Sequence, residues 1–309
     1  MDLFGNINGA KPFLKWAGGK GKLWATIQAA LPAEILSEPL TYVEPFIGGG
    51  AVLFRLLSHY PNIHRAIIND INPDLYEAYR AIQQHPEDLI QVLQGIQDSY
   101  DNLVSEEERR AYFDTLRTEF NQRDSTPLRN TALLIALNKT CFNGLYRVNS
   151  KGKFNVPFGK YERPRICDSQ TIRANSELLK PVTILKGDFS KTIEQVNGRA
   201  FYYLDPPYKP LSATAKFNAY VSEAFDDASQ LRLAGFCREL HAAGHLWLMS
   251  NSDVKNTDQD NHFFDELYQD FQIQRIRAKR AINSNGEKRG EISELLIANY
   301  LRNDVLQTA

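Results

Sequence analysis

Cysteine is scarce in this 309-residue chain, and Cys141, Cys167 and Cys237 show no paired spacing and no neighbouring histidine cluster. That argues against a disulfide frame or a zinc site and predicts reduced thiols in a cytoplasmic protein. The histidines, at 59, 64, 85, 241, 245 and 262, are scattered without ligand spacing, so no metal is assigned to them. A basic excess is also missing, since 36 Lys and Arg meet 37 Asp and Glu. A uniformly basic nucleic-acid coat is therefore not expected, although a local basic groove is compatible with that balance. No apolar run is long enough to span a bilayer, and Met1 to Ala10 lacks the basic-then-apolar pattern of a signal peptide, so no membrane partner is expected. Repeats and low-complexity tracts are absent too. What is present is ample apolar content for a sizeable core. The chain can hold one large α/β domain with an insertion, or two domains.

The stretch with the most chemistry is Phe201-Tyr202-Tyr203-Leu204-Asp205-Pro206-Pro207-Tyr208. Its first four residues read as a buried strand, because a short apolar and aromatic run bounded by turn signals does so. Proline cannot donate to a ladder, so pairing stops there and Asp205 falls at the strand's carboxyl end. In an open α/β sheet that edge is where ligands bind. Asp205 offers an anionic acceptor, the Asp205 and Pro206 carbonyls offer fixed neutral ones, and Tyr208 offers a flat face. A planar amine such as the exocyclic amino group of a base would donate to those acceptors and stack on the ring. The plainer alternative is a strand followed by a proline-rich turn with a surface aromatic.

Upstream, Lys11 to Lys22 carries four lysines and no acid around Gly18, Gly19 and Gly21. It resembles a degenerate phosphate loop, but the Gly-Lys-Ser/Thr ending is missing because Leu23 follows Lys22, which argues against an NTPase. A ligand loop with basic flanks remains, followed by a helix on the spacing of Leu23, Ile27, Ala30 and Leu31. Thr41 to Gly50 gives a strand and a glycine turn, and Ala51 to Leu57 a helix, the first βα turn of a nucleotide-type fold. The next strand, Arg65 to Asn69, ends at Asp70. That is where a ribose-binding carboxylate belongs, although Asp70 could instead cap the helix beginning near Asn72-Pro73-Asp74. From Leu75 to Lys139 the pattern is mostly helical, with a capped start at Ser105 to Glu108, and Thr131 to Leu137 is too apolar to face water. This block has no place in a minimal βαβ alternation, so a helical insertion beside the sheet is expected.

Between Lys139 and Arg165 there are seven Lys and Arg against Glu162 alone. Asn149-Ser150-Lys151-Gly152 reads as a hairpin turn between aromatic and β-branched runs. Cations interleaved with Phe142, Tyr146, Phe154, Phe158 and Tyr161 suit phosphate contact plus stacking or wedging at bases; a solvated hairpin with a small aromatic cluster is the alternative. Val182 to Leu185 is a further short strand. If it neighbours the first strand, Asp188 and Phe189 flank the glycine turn and suit an adenine ring, or they are a turn acid and a core ring. Lys209 to Asp227 is long and polar, and its position predicts a lid. A helix around Leu231 to His241 and strands at His245 to Met249, Phe271 to Ala278 and Ile292 to Tyr300 follow. The last two bracket Lys279, Arg280, Lys288 and Arg289, a second phosphate contact or a solvated tip.

Together, Phe13 to Lys20, Glu44 to Gly50, Asn69-Asp70, Asn143 to Arg147, Phe154 to Gly159 and Asp205 to Tyr208 resemble the Dam-type (D12 class, alpha group) DNA adenine-N6 methyltransferases, in order from Lys11 to Tyr300. The resemblance implies an α/β fold, a Rossmann-like S-adenosylmethionine-dependent methyltransferase sheet with a helical and β-hairpin DNA-recognition insertion. The catalytic domain would then comprise 11–74 and 169–302, and the insertion 75–168, with its hairpin at about 142–161. It implies that Trp16 and the turn of Glu44, Pro45, Phe46, Gly48, Gly49 and Gly50 hold the methionine part of the donor, Asp70 its ribose, and Asp188 with Phe189 its adenine. Lys20 and Asp205 complete the donor set. Asp205 and the Pro206 carbonyl would take the hydrogens of the target amine, with Pro207 and Tyr208 completing the catalytic run and Tyr208 stacked on a flipped base. Lys15, Leu145, Arg147 and Pro157 match sequence-reading positions, and Phe142 and Asn143 the segment that braces the gap left by flipping. Asn149, Lys151 and Lys153 join the DNA-binding set. Phe142 departs from a close relative's Tyr, which keeps a wedge and removes any hydroxyl contact. The hairpin resembles that of members that methylate GATC, which makes GATC the expected site. The expectation is thus a monomer acting on double-stranded DNA, using S-adenosylmethionine, yielding S-adenosylhomocysteine and needing no metal.

Three other readings stay open on the residues alone. The same fold could methylate cytosine N4, RNA adenine or a protein amide, and the basic aromatic hairpin argues against a small or protein acceptor. A NAD-dependent oxidoreductase would use the glycine turn but lacks an evident hydride-transfer His or Tyr at a strand end, and a non-catalytic DNA-binding module would leave Asp205 to Tyr208 idle.

Overall fold

The computed structural model describes residues 9–208, 225–279 and 291–301. The expected lid, Lys209 to Asp227, lies outside the described residues except at its end, as does the basic turn of Arg280, Lys288 and Arg289.

Seven strands form one sheet among the described residues: β1 (Leu40–Glu44), β2 (Ile63–Asp70), β3 (Val182–Lys186), β4 (Ala200–Leu204), β5 (Leu246–Ser252), β6 (Gln272–Lys279) and β7 (Glu291–Ala298). Their order is β3-β2-β1-β4-β5-β7-β6. The first five pair in parallel, and β7 runs antiparallel to both of its neighbours. β1, β4 and β5 are buried along their whole length and are largely apolar, because both faces are covered. One face packs Tyr42, Leu53, Ile68, Leu75, Phe201 and Tyr203; the other packs Val43, Ile67, Tyr202, Leu233, Trp247 and Ile297. Strand order reverses between β1 and β4, which opens a crevice at their carboxyl ends. β2 stands between β1 and β3, so the last strand before Asp188 does not adjoin the first one.

The helices are α1 (Trp24–Ala29), α2 (Glu34–Ser37), α3 (Ala51–His59), α4 (Pro73–Gln84), α5 (Pro86–Asp101), α6 (Glu106–Gln122), α7 (Pro127–Thr140), α8 (Ser169–Leu179), α9 (Asp227–Ala242) and α10 (Phe263–Leu267). Ser105 and Glu108 form a full capping box at α6, as the sequence predicts. Asn72 caps α4 by accepting from the Asp74 amide, which leaves Asp70 available for another role. α7 is buried at every position from Thr131 to Asn138. It packs on α4, α5 and α6, so the helical block and the sheet share one continuous core.

The basic ribbon after α7 closes as expected at Asn149. The Asn149 amide donates to the Lys153 carbonyl at 2.9 Å, and the Gly152 amide returns to the Asn149 carbonyl. The Asn149 side-chain oxygen accepts from the Lys151 and Lys153 amides, so it holds the turn. Pairing is confined to bridges at Val148 with Phe154 and Cys141 with Phe158. The aromatic reading needs correction. Tyr146, Phe154 and Phe158 are buried, and Phe154 and Phe158 pack on Phe120 and Phe113 of α6. They anchor the ribbon on the helical block, and of the five rings only Phe142 and Tyr161 are exposed.

Candidate active site at the β1 and β4 edges

The glycine turn after β1 is built for close approach. Gly48 and Gly50 have φ of +47° and +72°, a region that disfavours side chains. A Cβ on Gly48 would lie 3.0 Å from the Trp16 ring, and one on Gly49 would lie 3.1 Å from the Trp16 Cβ. The Tyr79 hydroxyl of α4 donates to the Gly48 carbonyl at 3.1 Å. A Cβ on Gly50 would stand 2.5 Å from that hydroxyl and 3.0 Å from the Phe54 ring. Gly50→Ala is therefore expected to lose about 3 kcal/mol of stability from left-handed strain and overpacking together. Gly21→Ala, with open space around its site and no positive φ, should stay near wild type in the same urea titration.

Asp70 ends β2 beside this turn and accepts from the Gly48 amide at 3.1 Å and the Asn72 amide at 2.9 Å. Burial pushes its carboxyl up to about 6 despite these amides, which act to lower it. Glu44 ends β1, is 2% exposed and accepts from the Tyr42 hydroxyl at 2.6 Å. Burial holds its carboxyl well above the usual range, against the lowering effect of that hydroxyl. The Asn69 side-chain amide donates to the Pro45 and Gly187 carbonyls, which ties the end of β3 to the end of β1 across the intervening strand. Asp188 caps a short helical turn through Ser190 and pairs with Arg232 of α9 at 2.5 Å. Phe189 is buried with its ring 5.3 Å from that of Phe46, the residue before Ile47 in the turn.

At the end of β4, Asp205 is met by Lys20 and by Ser250. The Lys20 ammonium pairs with Asp205 Oδ1 at 2.8 Å, donates to the Gly18 carbonyl and lies 4.5 Å from the centroid of the Tyr208 ring. Lys20 is 5% exposed. The Ser250 hydroxyl of β5 donates to the same carboxylate oxygen at 2.9 Å and stands 3.0 Å from the Tyr203 hydroxyl. The Tyr208 hydroxyl donates to Glu294 of β7 at 2.9 Å. Burial first, then Asp205 and Glu294, holds that phenol well above its ordinary range. It is a neutral donor there. Pro206 is buried and Pro207 exposed. The result is a fixed carboxylate beside a flat ring, already occupied by a cation.

Lys15, three residues before the first loop glycine, is exposed, but its backbone is fixed. Asn138 of α7 accepts from the Lys15 amide at 2.9 Å and donates to the Lys15 and Gly144 carbonyls at 2.9 and 2.8 Å. Lys15, Lys139, Arg163 and Arg165 line one cleft of about 280 Å³. Arg147 is held by the Asn155 side chain at 2.8 Å. Phe142, Asn143, Lys151, Lys153 and Pro157 are exposed, and Leu145 is half-buried. Among the described residues, no group of His, Cys, Asp and Glu could hold a metal ion, and no helix is long and apolar enough to cross a membrane.

Sequence reasoning gave no role to Ser250, Glu294 or Asn138. Ser250 had a usable signal, since it ends a strand that runs parallel beside β4 and so reaches the same edge. Asn138 had one also, as the polar residue closing an apolar helical run. Glu294 had none. Its approach to Tyr208 depends on the long-range antiparallel register that sets Ser252 opposite Glu294.

This sheet order, an acid after β2 that binds the glycine turn, and an acid-Pro-Pro-aromatic edge define a Rossmann-like methyltransferase. The family model described as D12 class N6 adenine-specific DNA methyltransferase matches residues 16–282, and the chain belongs to that family. It is 46% identical to the type II methyltransferase M.MjaIII of Methanocaldococcus jannaschii, covering 94% of this chain and 99% of that one. It is 36% identical to the type II methyltransferase M1.LlaDCHI of Lactococcus lactis subsp. cremoris, covering 94% and 95%. A DNA adenine methylase of Vibrio cholerae is 34% identical over 93% of this chain and 95% of its own.

Proposed function

We propose that this protein transfers the methyl group of S-adenosylmethionine to N6 of an adenine extruded from duplex DNA, with GATC as its site. The observation that carries this reading is the position of Lys20. A nitrogen that carries hydrogens lies against Asp205 and over the Tyr208 ring, where a flat base bearing an amine would make the same two contacts. Asp205 and the Pro206 carbonyl would accept the hydrogens of N6, and Tyr208 would stack on the ring. Holding the hydrogens returns the nitrogen lone pair from the aromatic system and aims it for attack. Ser250 keeps the carboxylate from rotating, and Glu294 keeps the Tyr208 ring in its plane.

The donor cradle fits its expected group by shape and charge. Side chains are excluded at Gly48 and Gly49 by Trp16, and Asp70 stands beside the turn as an acceptor for ribose hydroxyls. S-adenosylmethionine would supply an activated sulfonium methyl, so the chain's own task is to position and desolvate. Since N6 is hidden in the stack, extrusion costs a few kcal/mol. Phe142, 52% exposed at the start of the ribbon, is the ring suited to filling the gap.

The reading is tested with labelled S-adenosylmethionine on unmethylated duplexes with and without GATC, scoring N6-methyladenine. Product on the GATC duplex alone supports all of it. Product on every adenine removes the site, and no product on DNA removes the acceptor. Arg147→Ala is expected to bring GATC and scrambled duplexes within about tenfold of each other in affinity. Lys151→Ala with Lys153→Ala should instead weaken both alike and flatten the salt dependence by about two phosphate contacts.

Asp70 makes donor binding pH-dependent. Its ionised form accepts from hydroxyls, and the free protein's carboxyl titrates near pH 6. Affinity for S-adenosylhomocysteine should therefore be flat above that pH and fall below it, by up to about tenfold per unit. A profile that stays flat down to pH 5 in isothermal titration would remove Asp70 from the donor site.

A further inference from the structure

Tyr146 lies between Leu145 and Arg147, which the proposed function assigns to reading DNA, yet its own side chain points the other way. It is 5% exposed. Its ring stacks on Trp16 with centroids 4.9 Å apart and planes 27° off parallel. Its hydroxyl donates to Asp74 Oδ2 at 2.7 Å. Both partners lead to the glycine turn by separate routes. Trp16 rests directly against Gly48 and Gly49. Asp74 donates its amide to Asn72, Asn72 donates its amide to Asp70, and Asp70 accepts from the Gly48 amide. The contacts therefore close a ring through Gly48, Trp16, Tyr146, Asp74, Asn72 and Asp70. Arg123, at the end of α6, clamps the Asp74 carboxylate at 2.5 and 2.9 Å and fixes the far side of that ring.

We infer that Tyr146 is a positioning residue that couples donor binding to DNA reading. A ligand resting on Trp16 and donating its hydroxyls to Asp70 meets both routes into Tyr146. Ordering them orders the backbone that carries Leu145 and Arg147. The converse follows from linkage, because duplex contact that fixes Tyr146 also fixes Trp16 and Asp74, and each ligand must raise the other's affinity by one common factor. The inference rests on the donor and duplex assignments above, and its test separates the two.

The test measures S-adenosylhomocysteine binding by calorimetry with and without a GATC duplex, and duplex binding by fluorescence anisotropy with and without S-adenosylhomocysteine. In wild type the two enhancement factors should agree at about tenfold. Tyr146→Leu removes both contacts and should bring the factor to about one, a ratio taken within the one variant and so independent of any change in its donor affinity without DNA. Tyr146→Phe keeps the stack on Trp16 and loses only the Asp74 bond, so it should restore part of the coupling. It also carries the test if the leucine variant does not fold. A Tyr146 that merely fills space would lower the melting temperature and leave the coupling factor at its wild-type value in both variants, which overturns the inference. Wild type that binds both ligands without enhancement also overturns it. Wild type that binds neither ligand overturns the proposed function, and this inference with it.

Discussion

Asp205→Ala is expected to lower the rate of N6-methyladenine formation by about a thousandfold at saturating donor and duplex, the scale lost when an oriented electrostatic partner is removed from a desolvated site. Alanine removes the charged acceptor that would hold the amine, and no neighbour replaces it. Ser250 is a donor toward that position, and Glu294 is engaged by Tyr208. The same change leaves the Lys20 ammonium, 5% exposed, with the Gly18 carbonyl and the Tyr208 ring as its remaining partners among the described residues. A buried charge without its counter-charge is destabilising, so the alanine variant should also melt earlier. Asp205→Asn separates the effects, because it retains an acceptor and the packing. It should recover part of the lost stability and stay slow. A rate within tenfold of wild type for both variants, in initial-rate assays with labelled donor, would remove Asp205 from the chemistry.

The second large effect concerns a residue that touches no expected substrate. Asn138→Ala should cost about 3 kcal/mol in urea denaturation, because it leaves the Lys15 amide and the Lys15 and Gly144 carbonyls without their partner in the interior. Asn138 is 2% exposed and makes all three bonds at 2.9 Å or less. Function should suffer beyond stability if the ribbon reads DNA as proposed, since that one side chain fixes the backbone of Lys15 relative to the turn that begins the ribbon. Discrimination between GATC and near-cognate duplexes is expected to drop in the variant at temperatures where it remains folded. Gly144 adds a check. Its φ is +64°, and a Cβ there would lie 2.5 Å from the Lys15 side chain, so Gly144→Ala should disturb the same junction from the opposite side. Unchanged discrimination in both variants would mean that Lys15 does not read the site.

The sequence showed what is local. The strand ending at Asp205, the glycine turn, the Ser105 cap and the buried run of α7 are set by neighbours in the chain, and each stands where its pattern predicts. What it left ambiguous was settled by contacts far apart in sequence. Asp70 could have been a helix cap until Asn72 took that role. Phe154 and Phe158 had the composition of a DNA-facing surface, but the helical block supplies Phe120 and Phe113 to bury them, and composition does not encode which partner arrives. Lys20 was legible as a lysine in a glycine loop and not as the ion-pair partner of Asp205, because positions 20 and 205 meet only when β4 takes its seat beside β1.

In the free protein Lys20 already holds Asp205. If Asp205 takes the target amine as proposed, adenine entry is an exchange, with the lysine ammonium as the leaving group and the aromatic amine as the incoming one, and observed affinity would report the difference between the two. A thymine has no exocyclic amine to give Asp205 in return, so its entry would break the ion pair without replacing it. Selection of the right base would thus begin with an internal competitor, before any methyl group is near.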